Sequence, residues 1–412
     1  MAMERMETLL KQELAQLERS GLRKSREAIV AAVLPPRDGR GIRYLLKGEG
    51  DRPFLRMNSN GYLGLAFHPD VIRAEEEGVR AYGAGPGAVR FISGTYEPHV
   101  LLEQRLAEFH RREAAMLFSS AYAAVMGILP ALISPETAVI SDELNHNCII
   151  NAIRLARPGE KFVYAHLNVD QAEAFLRQAA KSCRRALIVT DGVFSMRGDH
   201  APLKELLALA TRHEESFAEG VFVLVDDSHG VGAFGQTGRG TEEYAGCGPV
   251  DILIGTLGKA FGINGGYVAG SSVLIDYLRE KAPLYIYSNP ITPGEAAAAL
   301  KAVEIVNAPE GQHRLDRLRK LTARFRQGLG DLGFETLPGG HPVVPLLLRD
   351  TETTRSLVLH LRERGILATA IVYPVVPRGD EEIRFQVSAD HTESDLDEAL
   401  TALREFGRTR AP

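Results

Sequence analysis

"VFVLVDD", residues 221–227, is the stretch on which the fold turns. Apolar, β-favouring residues run from Val221 to Val225 without a polar break, then stop at Asp226 and Asp227. A strand with one wet face alternates apolar and polar residues. An unbroken run suits a strand covered on both faces of a parallel sheet. "AVISD" (138–142), "ALIVTD" (186–191) and "DILIGT" (251–256) read the same way. Between them lie helical patterns such as "APLKELLALATRHEESF" (201–217). Strands alternating with helices predict an α/β unit with a mostly parallel sheet.

Outward from this centre the pattern changes. Leu102, Leu106 and Phe109 mark one helix face upstream. Downstream, "PVVPLLL" (342–348), "LATAIVYPVV" (367–376) and "EIRFQVSA" (382–389) are strand-like, with "TRSLVLHLRERG" (354–365) as a helix. "TESDLDEALTAL" (392–403) opens with Thr-x-x-Asp and predicts a capped terminal helix. The expected division is an N-terminal helix and small-domain segment (1–55), a large domain (56–299) and a smaller α+β domain (300–412). The opening "MAMERMETLLKQELAQLERS" carries Leu10, Leu14 and Leu17 at helical spacing and reads as an amphipathic helix, not a signal peptide.

Composition narrows the classes. The 412 residues hold 45% hydrophobic and 25% charged residues, with a net charge of -5. Nothing in that balance points to nucleic acid or an anionic membrane. No apolar run approaches the roughly 18 residues of a membrane span. Cys148, Cys183 and Cys247 form no C-x-x-C pair, so neither a disulfide framework nor a metal site is expected, and a cytoplasmic setting is. "GAGPGA" (83–88) lacks dinucleotide-loop spacing, and the twelve histidines include no H-E-x-x-H pair.

Each buried run ends in polar residues: Asn145 and His146 after the first, Ser195 after the second, Asp226 to His229 after the third, Thr256 and Lys259 after the fourth. Ligands of open parallel sheets bind outside the carboxyl ends of the strands, so these groups are expected in one crevice. Lys259 sits in "TLGKAFGINGG" (256–266). Gly255 and Gly258 are too close for a nucleotide phosphate loop, and Ala260 stands where such a loop needs Ser or Thr. A ligand with an aromatic ring, a phosphate and an aldehyde would use the whole set. Lysine forms a Schiff base with the aldehyde, aspartate pairs with a protonated pyridine nitrogen, and histidine stacks on the ring. That ligand is pyridoxal 5'-phosphate (PLP).

The chain resembles the α-oxoamine synthases, PLP enzymes of the aspartate-aminotransferase fold type I that condense an amino acid with an acyl-CoA. The resemblance runs through "NSNGYLGLAFHPDV", "GAVRFISGT", "DELNHNCIINAIRLA", "TDGVFSMRGD", "VDDSHGVGAFGQTGRG", "GTLGKAFG", "GGYVAG" and "EIRFQVSADHT". It implies a large domain with a mostly parallel sheet, a smaller α+β domain, and a homodimer with shared active sites. It also implies roles. Lys259 is the Schiff-base lysine, Asp226 the pyridine partner, His229 the partner of the phenolic oxygen, and His146 the stacking ring. Ser195 lies near the phenolic oxygen. Ala121 and Tyr122 offer backbone N–H groups to the phosphate, as Thr256 offers its hydroxyl. Ser288 is lent by the neighbouring subunit, and Asn60 and Arg384 hold the substrate carboxylate. "AVRFISGT" and "AIVYPVVPRG" lean toward the glycine C-acetyltransferase branch, with glycine or another small amino acid and acetyl-CoA as substrates. The 8-amino-7-oxononanoate synthase and serine palmitoyltransferase branches are the alternatives.

Some residues depart from the family pattern. Asn147 and Cys148 stand where Ala and Ser are usual, and "GKAFGINGGY" is shorter than expected for the acetyltransferase branch. These departures bear on the acyl substrate, not on PLP. An aminotransferase and a non-catalytic protein on the same fold are the rival readings.

Overall fold

The structure is a computed structural model that describes residues 2–20, 23 and 27–408. Its central sheet has seven strands: β1 (Ala114–Phe118), β2 (Thr137–Asp142), β3 (Glu160–Tyr164), β4 (Arg185–Asp191), β5 (Val221–Asp226), β6 (Ile252–Thr256) and β7 (Gly266–Gly270). Their order in space is β1-β7-β6-β5-β4-β2-β3. β7 pairs antiparallel with β1 and β6, and the remaining pairs are parallel.

The runs singled out from sequence are β2, β4, β5 and β6. All residues of β2 and β6 are buried, and β5 exposes only Phe222. Alternation sends their side chains to two separate cores. Val139, Leu187, Leu224 and Ile254 pack with the helices Ala121–Leu132 and Asn147–Ala156. Ala138, Ile188, Val223, Val225 and Leu253 pack on the other face with Val169–Ala179 and Leu203–His213. Each buried aliphatic side chain contributes about 1.5–3 kcal/mol relative to exposure, so either core resists a register shift.

Two smaller sheets flank this one. Val30–Leu34, Arg43–Leu46 and Pro53–Arg56 form antiparallel pairs, and Ile366–Leu367 joins Pro53–Arg56 in parallel. Glu335–Thr336, Val343–Leu347, Glu382–Gln386 and Ala370–Ile371 form the other, in that order. The strand expected over 367–376 is corrected here. Only Leu367 and Ala370–Ile371 join a ladder, because Pro374 and Pro377 bring no N–H to continue it. The helix expected over 201–217 ends at His213 and gives way to a 3-10 turn, Glu214–Ser216. Helix Pro293–Val306 runs through the expected junction at 299/300 and packs against Pro69–Tyr82 and Glu97–His110. The terminal helix is capped reciprocally: Asp395 Oδ2 accepts from Thr392 N (2.8 Å) and Thr392 Oγ1 from Asp395 N (3.2 Å). Helix Ala2–Arg19 forms as its leucine spacing predicts but buries no residue. Among the described residues no helix is long and apolar enough to cross a membrane.

Candidate active site

A cavity of about 230 Å³ opens at the carboxyl ends of β4, β5 and β6. Ala121, Tyr122, His146, Ser195, Asp226, His229, Thr256 and Lys259 all line it. These residues run from Ala121 to Lys259 in sequence, and the parallel strands bring them together. Asn60 and Arg384 stand beside the cavity: Arg384 Nη1 donates to the Ser195 carbonyl (2.7 Å) and Nη2 reaches Asn60 Oδ1 at 3.4 Å. Ser288 is half-buried and lies outside the lining, as does the 83–88 loop.

The two adjacent aspartates that end the central run face opposite ways. Asp226 follows Leu224 toward one core and aims into the cavity, where its Oδ1 accepts from Ser228 N (3.1 Å) and its Oδ2 faces Cys148 Sγ at 3.7 Å. Asp227 follows Val225 to the other side. Its carboxylate accepts from Thr241 N (2.7 Å) and Thr241 Oγ1 (2.5 Å). Gly192, Gly230 and Gly240 wall that carboxylate so closely that a Cβ on any of them would lie 1.9–2.2 Å from its oxygens. Burial raises the Asp227 pKa to about 8.

Lys259 follows β6 on a tight turn in which Leu257 N donates to Gly265 O and Ile263 N to Leu257 O. Desolvation lowers its pKa to about 8, against the opposing pull of Asp226 and Asp191. A lysine so tuned keeps a useful fraction of neutral amine near neutral pH, which a nucleophile or base requires. His229 is buried and its pKa is driven well down by burial and by Lys259, so its ring is neutral. Its Nδ1 lies 2.7 Å from the hydroxyl of Tyr62, and its carbonyl accepts from His341 Nε2 (2.9 Å). His146 caps helix Asn147–Ala156. Desolvation holds its pKa below the usual histidine range, with Asp226 opposing.

The helix Ala121–Leu132 begins at the cavity wall. Ser120 caps it, accepting from Ala123 N at 3.0 Å. Ala121 and Tyr122 occupy its first turn, where N–H groups have no intrahelical acceptor and the helix end is partly positive. Gly266 is required beside them: a Cβ there would lie 2.1 Å from Ala121 N.

Sequence reading missed Asp191 on the cavity wall and Tyr62 behind it, while Ser228 lies in the crevice as expected. Asp191 ends β4 beside Asp226 in register, and its Oδ2 accepts from His146 N (2.9 Å). Burial and the Asp226 charge push its pKa well up. Ser228 lines the cavity with a buried hydroxyl oxygen that has no hydrogen-bond partner. Tyr62 lies inside "NGYLGL", which was read only for Asn60. The position of Asp191 at the end of the apolar run "ALIVTD" was the available signal for it, and hydrogen bonding beyond the cavity wall left none for Tyr62.

This donor set fits PLP. It offers a primary amine of lowered pKa, a buried carboxylate, and free N–H groups at a helix start. The unsatisfied Ser228 hydroxyl belongs in a cavity built for a polar guest. Fold and site together define a PLP-dependent enzyme of fold type I. Residues 52–403 match the family described as aminotransferase class I and II. An 8-amino-7-oxononanoate synthase from Thermosipho melanesiensis is 42% identical over 86% of this chain and 88% of its own. A second, from Symbiobacterium thermophilum, is 43% identical over 87% and 89%. The solved structure of Sphingomonas wittichii serine palmitoyltransferase superposes with a TM-score of 0.86 at 28% identity, covering 98% of each chain. The chain belongs to the class I and II aminotransferase family and, within it, to the PLP-dependent α-oxoamine synthases.

Proposed function

We propose that this protein joins a small α-amino acid to an acyl thioester, with alanine and a pimeloyl thioester as the preferred pair and an amino ketone as product. The observation that carries the reaction class is the cluster of Lys259, Asp226, His229 and His146 around one cavity. The substrate pair is supported by the names of the relatives. In 8-amino-7-oxononanoate the amine-bearing carbon and its methyl are what alanine leaves after losing its carboxylate, and the other seven carbons are a pimeloyl unit. This reading displaces the glycine and acetyl-CoA pair expected from sequence. That pair stays as the second reading because "AVRFISGT" and "AIVYPVVPRG" favour it.

When bound, PLP supplies an aldehyde for Lys259 and a ring that takes up the electron pair of a bond broken at the substrate α-carbon. The residues that would hold it are Asp226 at the ring nitrogen, His146 on the ring face, and His229 and Ser195 at the phenolic oxygen. Ala121 N–H, Tyr122 N–H and Thr256 Oγ1 would hold the phosphate. Lys259 Nζ removes the α-proton. The α-carbon then bonds to the thioester carbonyl as the carbon–sulfur bond breaks, and CoA leaves as the thiol. Loss of the carboxylate as carbon dioxide, with a proton taking its place, gives the amino ketone. Neutral His229 would give its one free N–H to the phenolic oxygen, with the Tyr62 hydroxyl fixing Nδ1 on the far side of its ring. Arg384 and Asn60 hold the amino-acid carboxylate. Burial lowers the Arg384 pKa, and the guanidinium is oriented by the Ser195 carbonyl and, with the Gln386 amide turned so that its oxygen faces Arg384, by Gln386 Oε1, which then accepts from Nη2 at 2.8 Å.

The reading includes a cytoplasmic homodimer that completes each site with Ser288 of a second copy. Phe91 is 66% exposed, Ile92 67% and Tyr287 80%, apolar surface that a second copy would cover. The test is a panel of alanine, glycine and serine against pimeloyl, acetyl and palmitoyl thioesters, following CoA release and product mass. Alanine with pimeloyl-CoA should exceed the other pairs by at least about tenfold in kcat/KM, on the scale of the 1–3 kcal/mol that a methylene contributes in a pocket. Glycine with acetyl-CoA exceeding it by as much would establish the second reading.

A further inference from the structure

His166 follows β3 and lies outside the cavity lining, yet it is tied to it. Its Nδ1 is 3.1 Å from Asp142 Oδ1, and its Nε2 is 3.2 Å from Asp199 Oδ2. Its ring meets the edge of Phe194 at 4.4 Å between centroids. Both ring nitrogens face carboxylate oxygens, so both must donate, and only the imidazolium carries two N–H groups.

The partners belong to different parts of the chain. Asp142 ends β2 and is fixed by Leu144 N on Oδ1 (2.9 Å) and Leu167 N on Oδ2 (3.0 Å). Asp199 lies on the 193–200 loop, which closes on itself through Phe194 N to Asp199 O (2.9 Å) and Gly198 N to Phe194 O (2.8 Å). Arg197 Nε donates to Asp199 Oδ2 at 2.8 Å, while Asp199 Oδ1 is buried without a hydrogen-bond partner. The tip of this loop is Ser195, whose carbonyl holds Arg384 Nη1.

We propose that His166 is a positioning residue for amino-acid binding: its cation clamps the 193–200 loop to the end of β2, and through the Ser195 carbonyl it sets the angle of Arg384. The proposal rests on the reading of Arg384 as the carboxylate-binding group. The charged groups facing the ring are Asp142, Asp199, Arg197 and Glu143, whose Oε1 accepts from the His166 backbone N–H (2.8 Å). Burial lowers the pKa of His166, but its hydrogen bonds to Asp142 and Asp199 outweigh that and raise it to about 9. The clamp is therefore whole below the ordinary histidine range and is lost as pH climbs through about 9. Burial pushes the Glu382 pKa up to about 8 against the pull of Arg384 and Arg197, so the wild-type profile is compared with that of a His166 variant.

The test uses His166→Gln and Asp199→Asn, assayed with alanine and pimeloyl-CoA. Each variant should raise the alanine KM about tenfold at pH 8 while kcat and the thioester KM stay within about threefold. The wild-type alanine KM should climb above pH 9, and that of His166→Gln should not climb further. Without PLP, trypsin should cut after Arg197 faster in both variants than in wild type. An unchanged alanine KM with unchanged cleavage overturns the proposal, as does an equal loss in every kinetic parameter. If His166→Gln does not fold, Asp199→Asn decides by the same criteria. Arg384→Lys separates the two claims. If it leaves the alanine KM unchanged, the reading of Arg384 fails. If it raises that KM while the clamp variants do not, the clamp alone fails.

Discussion

Asp226→Asn removes one charge and almost no volume. The carboxylate is 5% exposed and shares its surroundings with Asp191 and Lys259. Two opposite charges about 4 Å apart interact by about 4 kcal/mol at the effective dielectric of about 20 found near protein sites. A lost, preorganised electrostatic partner typically costs about 3–4 kcal/mol of transition-state stabilisation, or roughly 10²–10³ in turnover. We expect kcat to fall by that factor with PLP still bound. Stability should move the other way or not at all. Asp226 raises the Asp191 pKa, so its charge burdens a neighbour, and removing it relieves the pair. The apoprotein Tm should therefore be unchanged or slightly higher. CoA thiol release measures the first effect, calorimetry of the apoprotein the second, and the visible absorbance of PLP checks occupancy. A near-wild-type kcat, or a large drop in Tm, would mean that Asp226 is a structural cap.

Lys259→Ala should abolish condensation and leave PLP dialysable, so borohydride reduction followed by mass measurement should find no adduct; normal turnover refutes the assignment. Covalent capture of PLP by the apoprotein should speed up as pH rises through about 8, because the lowered lysine pKa puts the neutral amine in that range. In Asp226→Asn the same rise should come at lower pH, since Asp226 supports the charged lysine; stopped-flow absorbance reads both. Tyr62→Phe removes the hydroxyl 2.7 Å from His229 Nδ1, and leaving that buried nitrogen unpaired costs about 1–3 kcal/mol. Its kcat should fall about tenfold to a hundredfold with little change in alanine KM, and an unchanged kcat would show that the contact does not orient His229.

The sheet was legible because its strands are covered on both faces and therefore spelled as apolar runs. β7 was not: "GYVAG" has two glycines and one aromatic, too little periodicity to read as a strand. Gly266 is there for the close passage at Ala121 and Gly270 for that at Leu274, tertiary reasons that local sequence does not spell. The site was legible where chemistry sits directly on the cavity wall, as at Lys259, Asp226 and His229. It was illegible one contact further out. Tyr62 and His166 act through hydrogen bonds to residues far away in sequence, and nothing near them announces those partners. The relatives favour a different acyl branch from the one the motifs suggested. In "AVRFISGT", Arg90 is bound up with Glu103 in a buried ion pair at 3.0 Å and Phe91 and Ile92 face outward, so none of the three borders the cavity.

The glycine-walled pocket around Asp227 has a consequence for how the gene can change. Side by side, the chain carries two identical letters with unrelated duties, and only the parity of the strand tells them apart. Inserting or deleting a single codon between Val221 and Val225 would keep both aspartates in the text yet exchange their directions. The socket would receive the wrong neighbour and the cavity would lose its anion. Length in this strand is thus constrained by geometry even where its aliphatic residues could be traded for one another, and changes two codons long are the smallest that preserve the sense of the message.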